Sequence, residues 1–188
     1  MTNFNKFYTA DRKVWRKWLE ENFETAKEIW LVYPKKSAAK PKIIYNDAVE
    51  EALCFGWIDS TVRRLDDNHT MQRFSPRNPK SGYSQANKER MKWLYENQLL
   101  HESVREMGKE ISEEEYEFPE DIIAEIKADE ETWENYEGFS DSYKRIRIAY
   151  IDAARKRPEE FDKRLNNFID KTREGKLIKG FGGIEKYY

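Results

Sequence analysis

Aromatic side chains set the strongest limit on what this chain can fold into. Its 188 residues include 6 Trp, 11 Tyr and 10 Phe, which together make up 14% of the sequence. Leu, Ile, Val and Phe together reach only about a fifth of the residues, the level below which highly charged chains tend to stay disordered. Since each buried aromatic side chain can remove about 150–250 Å² from water, the aromatic residues supply the apolar area that the aliphatic residues lack. We therefore expect a folded protein with an aromatic core and a very polar surface.

Charge is distributed unevenly along the chain. The net charge is only −2, although 37% of the residues are charged. Residues 1–100 contain 18 basic and 13 acidic side chains, whereas residues 102–137 contain 3 basic and 15 acidic ones. Charge and apolar patterning together predict three segments. These are an α+β domain at 1–100, an acidic linker or helix at 101–118, and a helical domain at 119–188.

The first 100 residues combine helical and strand patterns. Apolar residues recur at helical spacing in three segments, namely 9–22, 47–56 and 87–100. Thr9 and Ser84 are expected to cap the first and third helices, and Asp47 with Glu50 resembles a capping box for the second. Between the first two helices, IWLVYPKK (29–36) is a β-prone segment that Pro34 interrupts, which predicts a short buried strand.

A β-hairpin is expected after the second helix. WIDSTVRRL (57–65) and HTMQRFS (69–75) are rich in β-branched and aromatic residues, and Asp66-Asp67-Asn68 between them favours a tight turn. Strand alternation then predicts that Asp59, Thr61 and Arg63 share one polar face. The pairing register across the turn is not predicted.

The second half shows helical patterns and no strand pattern before the tail. Ile122, Ile123 and Ile126 indicate a helix after Pro119, and Ser140 is expected to cap a longer one. A last helix is expected to begin at Pro158 and to end at Gly175. The predicted fold class is therefore α+β, with a small antiparallel or mixed sheet packed by helices, followed by an all-helical C-terminal module.

Basic and aromatic residues are concentrated around the predicted hairpin. Residues 58–92 contain eight Lys or Arg against four Asp or Glu. Because guanidinium groups match phosphate and carboxylate geometry, arginines on a hairpin face and the loop after it can converge on one anion. The candidate ligand-binding residues are Trp57, Asp59, Arg63, Arg73, Arg77 and Arg90. The arginines would hold the anion, Asp59 would orient one of them, and Trp57 would form a wall of the pocket.

Four other interpretations of this region remain open. A solvated strand face with Arg–Asp pairs would stabilise the hairpin without binding a ligand. An enzyme acting on a small anionic substrate would use Asp59 as its acid or base. A nucleic-acid-binding module would stack bases on Trp57, Phe74 or Tyr83, but the pI near 5.9 lacks the basic excess of such proteins and disfavours it. A pure interaction module would present an exposed patch with no concave pocket beneath it.

Cofactor and metal sites are not indicated by the sequence. Cys54 is the single cysteine and is accompanied only by His69 and His101, which excludes a disulfide within the chain and a Cys/His zinc site. Neighbouring Glu50 and Glu51 should raise the pKa of the Cys54 thiol, so we expect a packed, inert cysteine. We therefore expect no cofactor and no metal, and we assign no catalytic residue.

Membrane and export signals are also missing from the sequence. No stretch approaches the roughly 20 apolar residues that a membrane-spanning helix needs. The first 25 residues lack the apolar core of a secretion signal. We therefore expect a cytoplasmic protein without membrane insertion.

A resemblance to a known protein family runs along nearly the whole chain. It rests on the closing helical part and on four segments: WLVYPKK (30–36), YNDAVEEALCFGWIDSTVRRLDD (45–67), RFSPRNPKSGYS (73–84) and NKERMKWL (87–94). Together they resemble the YdeI/OmpD-associated family, also called OmdA or bacteriocin-protection proteins. CFGWIDS with its trailing arginines is the most specific piece, and the stretch from Pro119 to Gly175 is similar to the family's C-terminal domain.

The resemblance implies a role in tolerance of cationic antimicrobial peptides or bacteriocins. It also implies association with an outer-membrane porin and a periplasmic location, whereas the residues themselves predict the cytoplasm. The family supplies no catalytic residues that could be carried over to this chain. We therefore expect a non-enzymatic stress-tolerance protein that binds an anionic ligand or partner through the arginine cluster.

Overall fold

A computed structural model describes residues 4–180 and 182–188, so Phe181 of the Gly-rich tail lies outside the described residues. The chain forms two compact units. The N-terminal unit comprises the chain up to Gly82 together with Met91–Ser112, and the C-terminal unit comprises Tyr83–Arg90 and Glu113–Tyr188. The first unit contains the sheet and the second is helical, which confirms the predicted fold class.

The strands lie in the first 76 residues. They are β1 (Lys6–Phe7), β2 (Ile29–Pro34), β3 (Trp57–Arg64) and β4 (His69–Pro76). The helices of the first 113 residues are α1 (Arg12–Asn22), α2 (Tyr45–Cys54), α3 (Gln85–Glu96) and α4 (Glu102–Glu113), with a 3₁₀ turn at Lys36–Ala38. One of the divisions between the units, that between Arg90 and Met91, falls within α3. α4 occupies most of the acidic segment predicted at 101–118.

The four strands form one mixed sheet in the order β1-β2-β4-β3. β1 is parallel to β2, and the other two pairings are antiparallel. The hairpin of β3 and β4 confirms the prediction made from the Asp66-Asp67-Asn68 turn. β1 was not predicted, because two paired residues are too few to show strand alternation.

A bulge in β3 changes which side chains share a face. Asp59 pairs with Phe74 and Arg63 pairs with Met71, and the register shifts between Asp59 and Val62. Phe74 and Met71 are an odd number of residues apart, so their side chains lie on opposite faces of the sheet. The prediction that Asp59 and Arg63 share a face is therefore wrong, because the bulge inserts one residue and inverts the alternation.

Aromatic residues fill the core of the N-terminal unit, as the composition indicates. Trp15 of α1 is fully buried and stacks on Trp18 with ring centroids 5.4 Å apart. The ring of Phe74 in β4 meets Trp15 edge-on at 5.3 Å, which places α1 against one face of the sheet. The indole Nε1 of Trp15 donates to the carbonyl of Ala48 at 3.0 Å and so joins α1 to α2.

Two of the four predicted helix caps are wrong, whereas the hydroxyls of Ser84 and Ser140 each accept from a backbone N–H of the first helical turn, as predicted. Asp11 caps α1 by accepting from the backbone N–H of Lys13 at 2.7 Å, while the Thr9 hydroxyl accepts from the Asp11 N–H at 3.0 Å. α2 begins directly after Ile44, so Asp47 lies inside the first turn and does not form a capping box. Ser140 caps its helix as predicted. The first error arises because two polar residues near the start of α1, Thr9 and Asp11, can each accept from a backbone N–H. The second arises because α2 begins at Tyr45, after Ile44, which makes no side-chain cap hydrogen bond.

Besides the first half of α3, the C-terminal unit contains four complete helices among the described residues. They are α5 (Glu120–Lys127), α6 (Glu130–Glu137), α7 (Asp141–Asp152) and α8 (Pro158–Arg173), followed by a 3₁₀ turn at Ile184–Tyr187. Their core includes Ile122, Tyr143, Ile148 and Phe168. The predicted start of α8 at Pro158 is confirmed, and Gly175 follows its end with a φ of 63°. α6 was not predicted as a separate helix.

Gly56, between α2 and β3, has a backbone conformation that favours glycine over other residues. Its φ is 71°, and an added Cβ would meet only Val104 Cγ1 at 3.9 Å. Because a non-glycine residue in the left-handed region costs about 1–2 kcal/mol, we expect Gly56→Ala to lower the free energy of unfolding by about 1 kcal/mol in urea titrations. Gly82→Ala is the control, since an added Cβ there meets nothing within 4 Å, and it should stay within about 0.5 kcal/mol of the wild type. Equal losses in the two variants would contradict this explanation.

Candidate functional site

The six residues predicted to bind a ligand lie in different surroundings. Trp57 and Asp59 precede the bulge in β3 and project to the face that carries Phe74, whereas Arg63 follows the bulge and lies on the opposite face. Arg73 lies on the same face as Arg63, because it is two residues from Met71 along β4. Arg77 follows β4, and Arg90 belongs to the C-terminal unit.

Trp57 is a core residue. Only 1% of it is exposed, and its ring contacts Trp18 edge-on at 5.8 Å. The indole Nε1 donates to the carbonyl of Phe23 at 3.1 Å. Trp57 therefore anchors the start of β3 to the end of α1.

Asp59 is held by neutral hydrogen-bond donors. Its Oδ2 accepts from the Tyr45 hydroxyl of α2 at 2.9 Å and from the side-chain amide of Gln72 in β4. The nearby Tyr33 hydroxyl is buried and has no hydrogen-bond partner among the described residues. Burial raises the pKa of Tyr33, and neighbouring Tyr45 and Asp59 add to the effect. Asp59 thus belongs to a polar group of tyrosines and Gln72, and it forms no ion pair with an arginine among the residues that the structure describes.

The opposite face of the sheet carries a group that we call the sheet-face cluster, consisting of Phe4, Glu28, Trp30, Arg63 and Arg73. The Arg63 guanidinium lies 5.3 Å from the ring centroid of Phe4 and 5.4 Å from that of Trp30. Glu28 accepts from Arg73 Nε at 2.7 Å and from Trp30 Nε1 at 2.9 Å. These hydrogen bonds, that from Arg73 above all, lower the pKa of Glu28 and keep it ionised.

The charges of the sheet-face cluster do not cancel. Glu28 neutralises Arg73, whereas Arg63 is exposed and forms no ion pair within the described part of the chain. A guanidinium that stacks on aromatic rings keeps the N–H groups of its edge free for an acceptor. The cluster can therefore present a positioned cation to a carboxylate or phosphate.

The two remaining arginines are engaged elsewhere. The Arg77 side chain donates to the carbonyl of Ser81 within its own loop. Arg90 is buried, donates to Asn87 Oδ1 at 3.0 Å, and lies 5.8 Å from the ring centroid of Tyr187. Of the six predicted residues, the structure thus brings Arg63 and Arg73 to a common face.

Glu28 and Trp30 are members of the cluster that the sequence did not predict. Trp30 lies in β2, which was predicted only as a buried strand, and Glu28 directly precedes that strand. The pairing of Trp30 with Arg73 could have identified them, but that register depends on contacts between segments about 40 residues apart.

A second group of charges was also missed, and it joins α1 to α2. Glu51 accepts from Arg12 Nε and, at 2.7 Å, from Arg16 Nη1. Glu50 is fully buried and lies 2.8 Å from Arg12 Nη1. Both carboxylates break the amphipathic pattern of α2, so their burial could not be predicted from spacing. This network holds the two helices together and surrounds Cys54 with charge.

Cys54 is expected to be unreactive in the folded protein. Burial, aided by the charge of Glu51, raises the pKa of its thiol to about 12. At pH 8 the thiolate fraction should therefore be roughly 10³-fold smaller than in the unfolded chain, where the pKa is about 8.5. Labelling with iodoacetamide should be slower by at least this factor in native protein than in guanidinium chloride, as measured by intact mass. Native labelling within tenfold of the denatured rate would show that the thiol is accessible and ionised.

Metal-binding geometry is not found in the described residues. Among them no group of three or more His, Cys, Asp or Glu side chains is arranged to hold a metal ion. None of the helices in the described ranges combines the length and apolar character that a bilayer crossing requires.

Comparisons with known proteins match two parts of the chain to two different families. Residues 7–107, more than half of the chain, match a family described as a domain of unknown function (DUF8412). Residues 115–175 match the family described as Bacteriocin-protection, YdeI or OmpD-Associated. No curated protein and no solved structure matches the chain. These comparisons confirm the resemblance for the C-terminal part. The four N-terminal segments on which the resemblance also rested lie within residues 7–107, which match the other family.

Proposed function

Since the chain belongs to the family described as domain of unknown function DUF8412 and carries a YdeI/OmpD-associated type domain at residues 115–175, we propose that it is a non-enzymatic stress-tolerance protein that binds an anionic ligand. The description of the C-terminal family names bacteriocin protection, which supports a role in tolerance. The proposed binding residues are Arg63 and Arg73 of the sheet-face cluster. The observation that carries the proposal is the exposed, unpaired Arg63 guanidinium stacked on Phe4 and Trp30.

The arrangement of the cluster favours an anion over a neutral ligand. The two aromatic rings restrict the orientation of Arg63, so that less conformational freedom is lost when an anion binds. A carboxylate or phosphate can accept two parallel hydrogen bonds from one guanidinium edge. Arg73 lies on the same face, where Glu28 neutralises its charge and holds its guanidinium in place, so that its contribution to binding is further N–H donors.

A backbone-amide NMR titration tests the proposal and its alternatives. The full chain would be titrated with nucleotides, sugar phosphates, small carboxylates and short RNA and DNA at low and moderate salt. We expect one small anion to shift the amides of residues 28–30, 63 and 73. Salt-sensitive shifts caused by nucleic acid alone would favour the nucleic-acid-binding interpretation. No shifts with any compound would assign the cluster a structural role.

Substitution of the two arginines should weaken binding of whichever anion the titration identifies. A charge-assisted hydrogen bond contributes about 1.5–3 kcal/mol, so Arg63→Ala and Arg73→Ala should each raise Kd by about tenfold or more in calorimetric titrations. Arg64→Ala is the matched control, because Arg64 is an exposed neighbour on β3 that pairs with Asp67, and its Kd should change less than about twofold. Unchanged affinity in both Arg63→Ala and Arg73→Ala would show that the assignment of the site is wrong.

An enzyme with Asp59 as acid or base is the second candidate. It is favoured by the hydrogen bond from Tyr45 to Asp59 and by the unpartnered hydroxyl of Tyr33 nearby. This group lies on the face opposite Arg63, so an enzyme of this kind would not use that arginine directly. Loss of turnover in Asp59→Asn at unchanged stability would support the enzyme. Activity unaffected by this substitution would exclude Asp59 as its catalytic group.

A further inference from the structure

A cavity of about 350 Å³ lies within the C-terminal unit, between α7 and α8. Its lining combines the cations Arg147, Lys163 and Arg164 with the apolar side chains of Ile151 and Phe168. A concave site of this size, mostly apolar and with a few convergent polar groups, is typical of pockets for small molecules. None of these residues belongs to the sheet-face cluster.

Arg147 is held rigidly at the wall of this cavity and has an unused donor. It is 9% exposed, and its guanidinium lies 5.5 Å from the ring centroids of both Tyr143 and Tyr188. Its Nη2 donates to the Ile178 carbonyl and to the Tyr188 hydroxyl. Its buried Nε–H has no acceptor among the described residues. Because buried donors are almost always paired in folded proteins, this N–H shows that the described residues leave the hydrogen bonding of Arg147 incomplete.

The charged side chains that line the cavity carry an excess of positive charge. Arg164 lies 3.7 Å from the ring centroid of Tyr150 and donates to Glu160 Oε1 at 2.8 Å. This hydrogen bond lowers the pKa of Glu160, so the carboxylate stays ionised and neutralises Arg164. Lys163 forms no ion pair within the described ranges of the chain. Arg147 and Lys163 therefore remain as two cations without a carboxylate.

We propose that this cavity binds a small amphipathic carboxylate. The ligand carboxylate would lie between Arg147 and Lys163, and its apolar body would pack on Ile151 and Phe168. Inorganic phosphate fits less well, because it would leave the apolar wall of Ile151 and Phe168 uncovered. The site is independent of the anion site proposed for the sheet-face cluster.

Phenylacetate is the probe for the first test, with phenylacetamide as the uncharged compound of the same shape. In NMR titrations of the full chain we expect phenylacetate to shift the amides of residues 147, 163 and 178. Phenylacetamide should bind at least about tenfold more weakly, since it lacks the charge that Arg147 and Lys163 recognise. Equal binding of the two compounds, or no shifts at these residues up to about 10 mM phenylacetate, would overturn the proposal.

Lys163→Gln is the decisive variant, because an exposed lysine can be replaced without disturbing the core. Its Kd for phenylacetate should rise about tenfold. Lys156→Gln is the matched control in the same unit, outside the cavity, and should stay within about twofold of the wild type. A Kd unchanged in Lys163→Gln would overturn the proposal.

The proposals for the two sites can be tested separately, because each predicts a different variant that weakens binding. Arg63→Ala should leave the affinity for phenylacetate unchanged, and Lys163→Gln should leave binding at the sheet-face cluster unchanged. Phenylacetate shifts confined to residues 28–30, 63 and 73 would overturn the cavity as the binding site and would support the proposed function of the sheet face.

Discussion

Replacement of Trp15 by alanine is expected to lower the free energy of unfolding by about 3–5 kcal/mol, the usual range for a fully buried aromatic side chain. Trp15 is 0% exposed, stacks on Trp18 and meets Phe74 edge-on. The substitution would leave a cavity between α1 and the sheet. It would also leave the Ala48 carbonyl without the indole donor that reaches it at 3.0 Å. The cavity and the lost hydrogen bond both lower the free energy of unfolding.

Urea unfolding followed by far-ultraviolet circular dichroism measures this loss. Val14→Ala is the control, because Val14 precedes Trp15 in α1 and is 47% exposed. Its free energy of unfolding should change by no more than about 0.5 kcal/mol. Trp15→Phe should fall between the two, since it retains a ring but not the N–H donor. A loss in Trp15→Ala no larger than that in Val14→Ala would mean that Trp15 does not anchor the core.

Removal of Glu89 is expected to destabilise the C-terminal unit by about 2–3 kcal/mol. The Glu89 carboxylate accepts from Arg145 Nε at 2.6 Å and from Arg145 Nη2 at 2.9 Å. The side chains are 6% and 22% exposed, respectively. Loss of one partner of a buried pair costs about 3–5 kcal/mol, and the partial exposure of Arg145 reduces this figure. The main cost is the positive charge left without its carboxylate.

A double-mutant cycle separates this cost from simple loss of packing. Glu89→Ala and Arg145→Ala together should destabilise the protein by at least about 1 kcal/mol less than the sum of the single variants. Glu174→Ala is the control for an exposed pair, since Glu174 and Lys171 are both more than 40% exposed, and it should cost less than about 1 kcal/mol. Additive effects of Glu89→Ala and Arg145→Ala would show that the two side chains are not coupled.

Local sequence signals were sufficient to predict several helices and strands. The turn residues Asp66-Asp67-Asn68 predicted the hairpin of β3 and β4, and the structure confirms it. Ser140 and Pro158 marked helix starts correctly. These signals depend on hydrogen bonds and backbone torsions within a few residues, so the tertiary structure changes them little.

The candidate site could be predicted only in part. The concentration of arginines around the hairpin identified Arg63 and Arg73, which the structure places on one face. It could not show that the bulge separates Asp59 from them, because a single inserted residue reverses the alternation. Nor could it identify Glu28, which is 45 residues from Arg73 in the sequence.

By itself, the sequence determined that this protein has an α+β part followed by helices, a core rich in aromatic residues, and a single cysteine, Cys54. These properties follow from composition, periodicity and nearest-neighbour chemistry. Only the tertiary structure decided which charged side chains contact one another and which aromatic rings they lie against. The stacking of Arg63 on Trp30 depends on strand register, and the cavity beside Arg147 depends on how α7 packs against α8. Such contacts join distant segments, and their energies arise from burial and geometry that no local pattern records.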